Sequence, residues 1–519
     1  MNKKNKPGTV YIIGAGPGDA GLITVKGADC LGRADVVVYD YLVNEELLEY
    51  ARPAARFVYA GKKGGEHTLP QDKINELLVR EAQDGNTIAR LKGGDPFIFG
   101  RGGEEAEELA RNNVPFEIIP GVTSAVAVPA YAGIPLTHRG LTSTVAFVTG
   151  HEDPAKEKSD IDWPTLAGIG TLVFLMGVKN IARITDALIK YGKSPSTPAA
   201  LIRWGTTPRQ EVVTATLDAI TVRAEACGFA PPAILVVGNV VDLRETLKWF
   251  DGKPLFGKGI VITRPEREKD NLAALLAQEG ARVICFPTIK ITPPPDWSSL
   301  DAAVTQLNTY NWIIFTSANG VHYFFERLAA LGKDIRELKS VKICCIGPAT
   351  AFQIQARGIG VDLIPEYYIS EGILKSLAKL DLAGQKILIP RAVHARDVLP
   401  EGLTKMGAAV DVVAAYETVN SGRKKEELLE LIRNDGIDVI TFTSTSTVTN
   451  FLEIMGGDFI CPAKIRIACI GPITETAAQR AGFNVDIRQD EYTMEGLVQS
   501  LVQYFKNEQA AESGKRNNS

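Results

Sequence analysis

The second half of this chain carries the same plan twice, and a sequence that repeats itself must build two similar structural units. "WIIFTSANGVHYFFERL" from Trp312 matches "VITFTSTSTVTNFLEIM" from Val439, each an apolar run that ends in Phe-Thr-Ser and opens a helical pattern. "CCIGPAT" from Cys344 matches "ACIGPIT" from Ala468, and "GIVITRP" from Gly259 resembles "QKILIPR" from Gln385. Two α/β lobes follow, each with a Thr-Ser turn and an Ile-Gly-Pro turn at its strand ends. Ligands in open α/β sheets sit beyond the carboxyl ends of strands. Two facing lobes therefore suit one ligand rich in acceptor groups, although helix capping accounts for part of each hydroxyl.

The first half alternates strand-like runs ("ADVVVYD", "TIARLKGG", "PFEIIPG", "TLVFLMG", "PAILVVG") with amphipathic stretches, the signature of α/β architecture. The pattern breaks at "KWFDGKPLFGKG", so the reading divides the chain into residues 1–250, residues 251–504 and a polar, disordered tail at 505–519. A net charge of −4 over 519 residues supplies no basic field for nucleic acid or anionic lipid. Seven scattered cysteines without a C-x-x-C pair predict no metal site and a reducing cytoplasm. No apolar stretch reaches membrane-spanning length, and the basic start runs directly into a strand instead of a signal-peptide core.

"VYIIGAGPGD", Val10 to Asp19, nearly spells a dinucleotide fingerprint. It departs from one where Asp19 replaces the third glycine and Pro17 lacks an N–H for a pyrophosphate. A nicotinamide or flavin is a poor match. Further along come "VVVYDYLV", "YAGKKGGEHTLPQDKIN", "LKGGDPFIFGRGGEE", "IIPGVTSAVAVPAYAGIPLTHR", "FLMG" and "RWGTTPRQ". In that order they resemble the uroporphyrinogen-III C-methyltransferase family over about residues 8–245. The later "TRP", "FTSANGV", "IGPAT", "YET" and "FTSTSTV" resemble uroporphyrinogen-III synthase over about residues 258–503.

The resemblance implies a two-lobed tetrapyrrole methylase fold followed by a two-lobed α/β synthase fold. It implies S-adenosylmethionine held between the methylase lobes, with Pro17, Gly93, Gly94, Asp95, Ile98, Thr123, Ser124, Met176, Gly205 and Ala233 around it. It implies methylation of uroporphyrinogen III at carbons 2 and 7 to precorrin-2, with Asp40 as proton acceptor. Asp40 also suits a helix cap. Lys62 stands as proton donor or as partner of a substrate carboxylate, with Lys63, Arg101, His138 and Arg139 as further rim candidates.

For the second half the resemblance implies cyclisation of hydroxymethylbilane with inversion of its last ring. Tyr416 then assists departure of the hydroxyl, though a packed core tyrosine is the other reading. Ser317, Thr350, Ser444 and Thr474 are expected on substrate carboxylates, with Arg264 and Arg391 beside them. A homodimer through the methyltransferase half is the expected assembly. The alternative is a methyltransferase of a later corrin precursor fused to an inactive two-lobed binding domain.

Overall fold

The computed structural model describes residues 6–61, 69–151, 160–264, 271–395, 397–434, 436–457, 459–489 and 491–516. The chain forms two compact units. One comprises Met1–Gly259 together with Ala274–Arg282 and Val502–Ser519, and the other Ile260–Ala273 with Val283–Leu501. The chain thus passes between units at Gly259, and two later segments belong with the first unit.

The first unit opens with strands β1 (Val10–Gly14), β2 (Val36–Tyr39), β3 (Arg56–Tyr59), β4 (Ile88–Lys92) and β5 (Phe116–Ile119). They form a sheet in the order β3-β2-β4-β1-β5, parallel at every pairing. Parallel pairing follows from the helical crossovers between strands and puts all their carboxyl ends on one edge. β4 is buried at every position, and its period of two separates Ala89 and Leu91 on one face from Ile88, Arg90 and Lys92 on the other. Helix Gly102–Arg111 packs its buried stripe of Gly102, Glu105, Ala106 and Leu109 inward.

The second sheet of this unit contains β6 (Val145–Thr149), β7 (Thr171–Leu175), β8 (Pro198–Arg203), β9 (Glu211–Thr216) and β10 (Ala233–Val237), ordered β6-β7-β10-β8-β9. Only β6 and β7 are parallel; β10 runs antiparallel to both β7 and β8, and β9 antiparallel to β8.

The second unit carries β11 (Gly259–Ile262), β12 (Arg282–Cys285), β13 (Ile289–Thr292), β14 (Trp312–Phe315), β15 (Lys342–Cys345), β16 (Lys386–Ala392), β17 (Ala409–Asn420), β18 (Val439–Phe442) and β19 (Arg466–Cys469). They divide into sheets ordered β12-β11-β18-β19 and β13-β17-β16-β14-β15. The repeat maps onto these two lobes. β14 with β15 and β18 with β19 are equivalent parallel pairs, each followed by a helix capped by the repeated serine.

The tail differs from expectation. Met494–Arg516 is one helix, so residues 505–516 are helical where composition predicts disorder. Leu497, Leu501 and Phe505 are all buried at four-residue spacing. The Glu, Gln, Ala and Lys beyond them are good helix formers that extend a helix already nucleated.

Candidate functional site

In the first unit the carboxyl ends of β1, β4 and β5 approach so closely that side chains are excluded. A Cβ on Gly121 would lie 2.4 Å from the Gly94 carbonyl oxygen and 2.6 Å from Gly14 Cα. Gly16 and Gly94 exchange backbone hydrogen bonds of 3.2 and 2.7 Å. Gly94 has φ +71°, a conformation that favours glycine, and its open side faces the backbone of Thr123 and Ser124. Thr123 caps helix Ser124–Tyr131, accepting from the Ala125 N–H at 3.3 Å. Both Asp95 oxygens accept backbone amides, from Phe97 at 2.8 Å and Gly121 at 3.0 Å. Asp95 therefore ties the Gly93–Gly94 turn to the turn after β5.

The second sheet's turns complete the surface. Met176 follows β7 with φ +56°, and Trp204 and Thr206 flank Gly205 after β8 with φ +48° and +68°. A Cβ on Gly205 would sit 2.3 Å from Val128 Cγ1, so the turn lies directly on helix Ser124–Tyr131. Thr206 Oγ1 accepts the Asp19 N–H at 3.1 Å, and the Tyr131 hydroxyl donates to Asp19 at 2.6 Å. Burial and that carboxylate push the Tyr131 phenol up. These bonds join the turn carrying Pro17 to the turn carrying Gly205. Ala233 opens β10 opposite Arg203, next to the same turn. A cavity of about 580 Å³ is lined by Phe97, Phe99, Arg101 and Met176 among others, and Ile98 is partly exposed beside it.

Asp40 does not cap a helix; Asn44 caps the short turn that follows. Its carboxylate instead accepts from Arg90 Nη2 at 2.7 Å. Arg90 Nε donates to Glu105 at 3.2 Å, and Lys92 Nζ lies 2.7 Å from the same oxygen. Burial opposes ionisation of Glu105, but Arg90 and Lys92 outweigh it and hold its carboxyl below the usual range. Burial and the neighbouring Arg90 push the Lys92 ammonium down. Sequence reasoning missed Arg90, Lys92 and Glu105. Lys62 and Lys63 lie outside the described residues. Arg101 is paired with Glu104 at 2.7 Å, and His138 and Arg139 are exposed.

In the second unit Tyr416 on β17 is buried, stacked on Tyr323 with ring centroids 6.1 Å apart, and lies 3.0 Å from Ser317 Oγ. Ser317 also caps helix Ala318–Ala330 through the Gly320 N–H at 3.0 Å. Ser444 heads the equivalent helix Thr445–Met455 in a capping box with Thr447. Arg391 pairs with Asp397 at 2.5 Å, and Arg264 Nη1 lies 3.7 Å from Met494 Sδ. Thr350 and Thr474 lie in the first turns of helices Pro348–Gln355 and Pro472–Arg480, and both are buried, as Tyr416 is.

Residues 9–221 match the family described as Tetrapyrrole (Corrin/Porphyrin) Methylases, and residues 270–499 match Uroporphyrinogen-III synthase HemD. The porphyrin biosynthesis protein HemD of Ruminiclostridium josui is 37% identical over 499 residues, spanning 96% of this chain and 98% of that protein. The chain belongs to the family that fuses uroporphyrinogen-III C-methyltransferase to uroporphyrinogen-III synthase. The methyltransferase half is also 50% identical over 250 residues to the uroporphyrinogen-III C-methyltransferase of Bacillus subtilis (strain 168), covering 47% of this chain and 96% of that one. It is 51% identical over 241 residues to the S-adenosyl-L-methionine-dependent uroporphyrinogen III methyltransferase of Methanosarcina barkeri (strain Fusaro / DSM 804), covering 46% and 94%. The chain is an enzyme on both counts.

Proposed function

We propose that the first unit binds S-adenosylmethionine at the ends of β1, β4 and β5 and methylates uroporphyrinogen III at carbons 2 and 7, giving precorrin-2. The observation that carries the reading is the position of Asp40. Its carboxylate follows β2 beside β4, and the Gly93 turn that ends β4 packs on Leu42, with Leu42 Cβ 3.0 Å from where a Gly93 Cβ would be. The carboxylate and the Gly93–Gly94 turn thus share one sheet edge.

The residues fit the cofactor. Gly94 keeps a side chain off the turn that faces Thr123 and Ser124, exposed Met176, Phe97 and Phe99 offer polarisable apolar faces for adenine, and the Ser124 N–H stands at the start of helix Ser124–Tyr131. When bound, S-adenosylmethionine supplies a methyl group already activated by the sulfonium charge. The protein's part is alignment and one proton. Methylation leaves the pyrrole an iminium, and Asp40 accepts the proton whose loss restores neutrality. Lys62 serves either as proton donor or as partner of a substrate carboxylate.

In the second unit we assign Tyr416 to hydroxymethylbilane. Its phenol, held by Ser317, donates a proton to the departing hydroxyl, which leaves as water; the pyrrole N–H proton returns to the phenolate, and the resulting azafulvene closes the ring. Ser317, Thr350, Ser444, Thr474, Arg264 and Arg391 are the groups proposed to meet the substrate carboxylates. The reading further takes the enzyme as a cytoplasmic homodimer joined through the methyltransferase half. Among the described residues no helix is long and apolar enough to cross a membrane. The test is to supply the full chain with hydroxymethylbilane and S-adenosylmethionine and identify the tetrapyrrole formed. Precorrin-2 is the expected product; unmethylated uroporphyrinogen or isomer I refutes one half or the other.

A further inference from the structure

The ionic group behind Asp40 is costly. Arg90, Lys92 and Glu105 have side chains 2%, 4% and 0% exposed, while Asp40 reaches solvent at 29%. Arg90 Nη1 and Glu105 Oε2 are buried without a hydrogen-bond partner among the described residues. Apolar side chains of the same volume often pack at no greater cost than a buried ion group, so such a group is weak evidence for a purely stabilising role. Its geometry is directional. The guanidinium is fixed along one edge by Glu105 and presents Nη2 to Asp40. The buried trio sums to one positive charge, and Asp40 is the carboxylate that balances it. Gln71 from helix Gln71–Gln83 donates to Glu105 at 3.1 Å and completes the clamp.

We propose that Arg90 is a positioning residue for methyl transfer: braced by Glu105, it holds the Asp40 carboxylate in place at the carboxyl end of the sheet. This rests on the assignment of Asp40 as proton acceptor. Arg90 touches neither substrate nor cofactor and acts only through Asp40. A lysine at position 90 keeps the charge but lacks the planar fork that engages two carboxylates at once.

The test uses the full chain with Arg90→Lys, Arg90→Gln, Asp40→Asn and the double variant Asp40→Asn/Arg90→Gln. Methylation kcat and KM are measured with preformed uroporphyrinogen III, and S-adenosylhomocysteine binding is measured by calorimetry. Asp40→Asn is expected to lower kcat about 10²-fold, the low end of general-base effects, and Arg90→Gln by a similar factor. Arg90→Lys should fall between these and the parent, with S-adenosylhomocysteine affinity unchanged in each. The double variant should be no slower than Asp40→Asn, because both changes remove one function.

Asp40→Asn at the parent rate removes the proton-acceptor assignment itself. Asp40→Asn slow with both Arg90 variants at the parent rate overturns the positioning role alone. So does a double variant slowed by the product of the two single effects. If Arg90→Gln does not fold, Arg90→Lys decides: parent kcat, or a rate loss matched by lost S-adenosylhomocysteine affinity, overturns the proposal.

Discussion

Tyr416→Phe deletes one hydroxyl from a buried, stacked ring, and the structure gives its two consequences very different sizes. The 3.0 Å contact with Ser317 is lost, but Ser317 keeps the Gly320 amide and is not orphaned. The stacking on Tyr323 needs no hydroxyl and persists. Folding should therefore lose about 1 kcal/mol, one neutral hydrogen bond, out of the roughly 5–15 kcal/mol of a typical domain. Proton donation to a leaving group is worth about 10²- to 10⁴-fold, and a hydroxyl that departs readily unaided places the expectation near 10², or about 2.7 kcal/mol of barrier. The variant should stay folded and still lose most of its synthase rate. The assay follows hydroxymethylbilane consumption and the ratio of uroporphyrinogen isomer III to isomer I, with urea unfolding alongside. Methylation of preformed uroporphyrinogen III should be unchanged. Ser317→Ala is the companion variant, removing the partner and a helix cap worth about 1 kcal/mol while leaving the phenol in place. A Tyr416→Phe enzyme with the parent's rate and isomer ratio refutes the reasoning and leaves Tyr416 as core.

Three further outcomes are expected. Gly205→Ala drives a methyl into Val128, whose β-branched side chain has little freedom to yield, so about 1–3 kcal/mol should be lost and calorimetry should show weakened S-adenosylmethionine binding; unchanged affinity would place the turn outside the cofactor site. Asp95→Ala frees the amides of Phe97 and Gly121 and should weaken the same binding while leaving cyclisation intact, as titration and both activity assays would reveal. Glu105 has its carboxyl held below the ordinary range near 4.3, so its contribution is present above that pH and is lost as pH falls through the lowered value. Urea unfolding between pH 3 and 7 should accordingly show a shallower acid-side decline in Glu105→Gln than in the parent, and parallel curves would contradict this linkage.

The sequence made the alternation of strands and helices and the duplicated lobes legible, because period-two burial and repeated Phe-Thr-Ser turns are local signals. It also pointed to Asp40, Gly94 and Gly205, whose motif positions the structure brings to strand ends. What it hid are groups defined by depth. Arg90 and Lys92 stand two apart within "ARLK", and two like charges on one face of an otherwise apolar strand were the available hint that a buried anion faces them. Glu105, in "GGEE", looks like its exposed neighbour Glu104 until the helix phase is known. The tail failed because polar composition does not reveal that a helix is already under way at Met494.

The reciprocal hydrogen bonds between Gly16 and Gly94 bear on how the strand ends proposed to hold the cofactor breathe. Glycine-rich strand ends ordinarily open and close on their own, and their amides exchange with solvent quickly. Here the two turns are stitched to each other, and Asp95 pins a third turn at Gly121. Opening any one of them requires releasing its neighbours, so the amide protons of Gly16 and Gly94 should exchange with deuterium only on the slow timescale of the surrounding sheet. A ligand then meets a wall already in its final shape, and the ordering of these backbones is completed at folding, before the cofactor arrives.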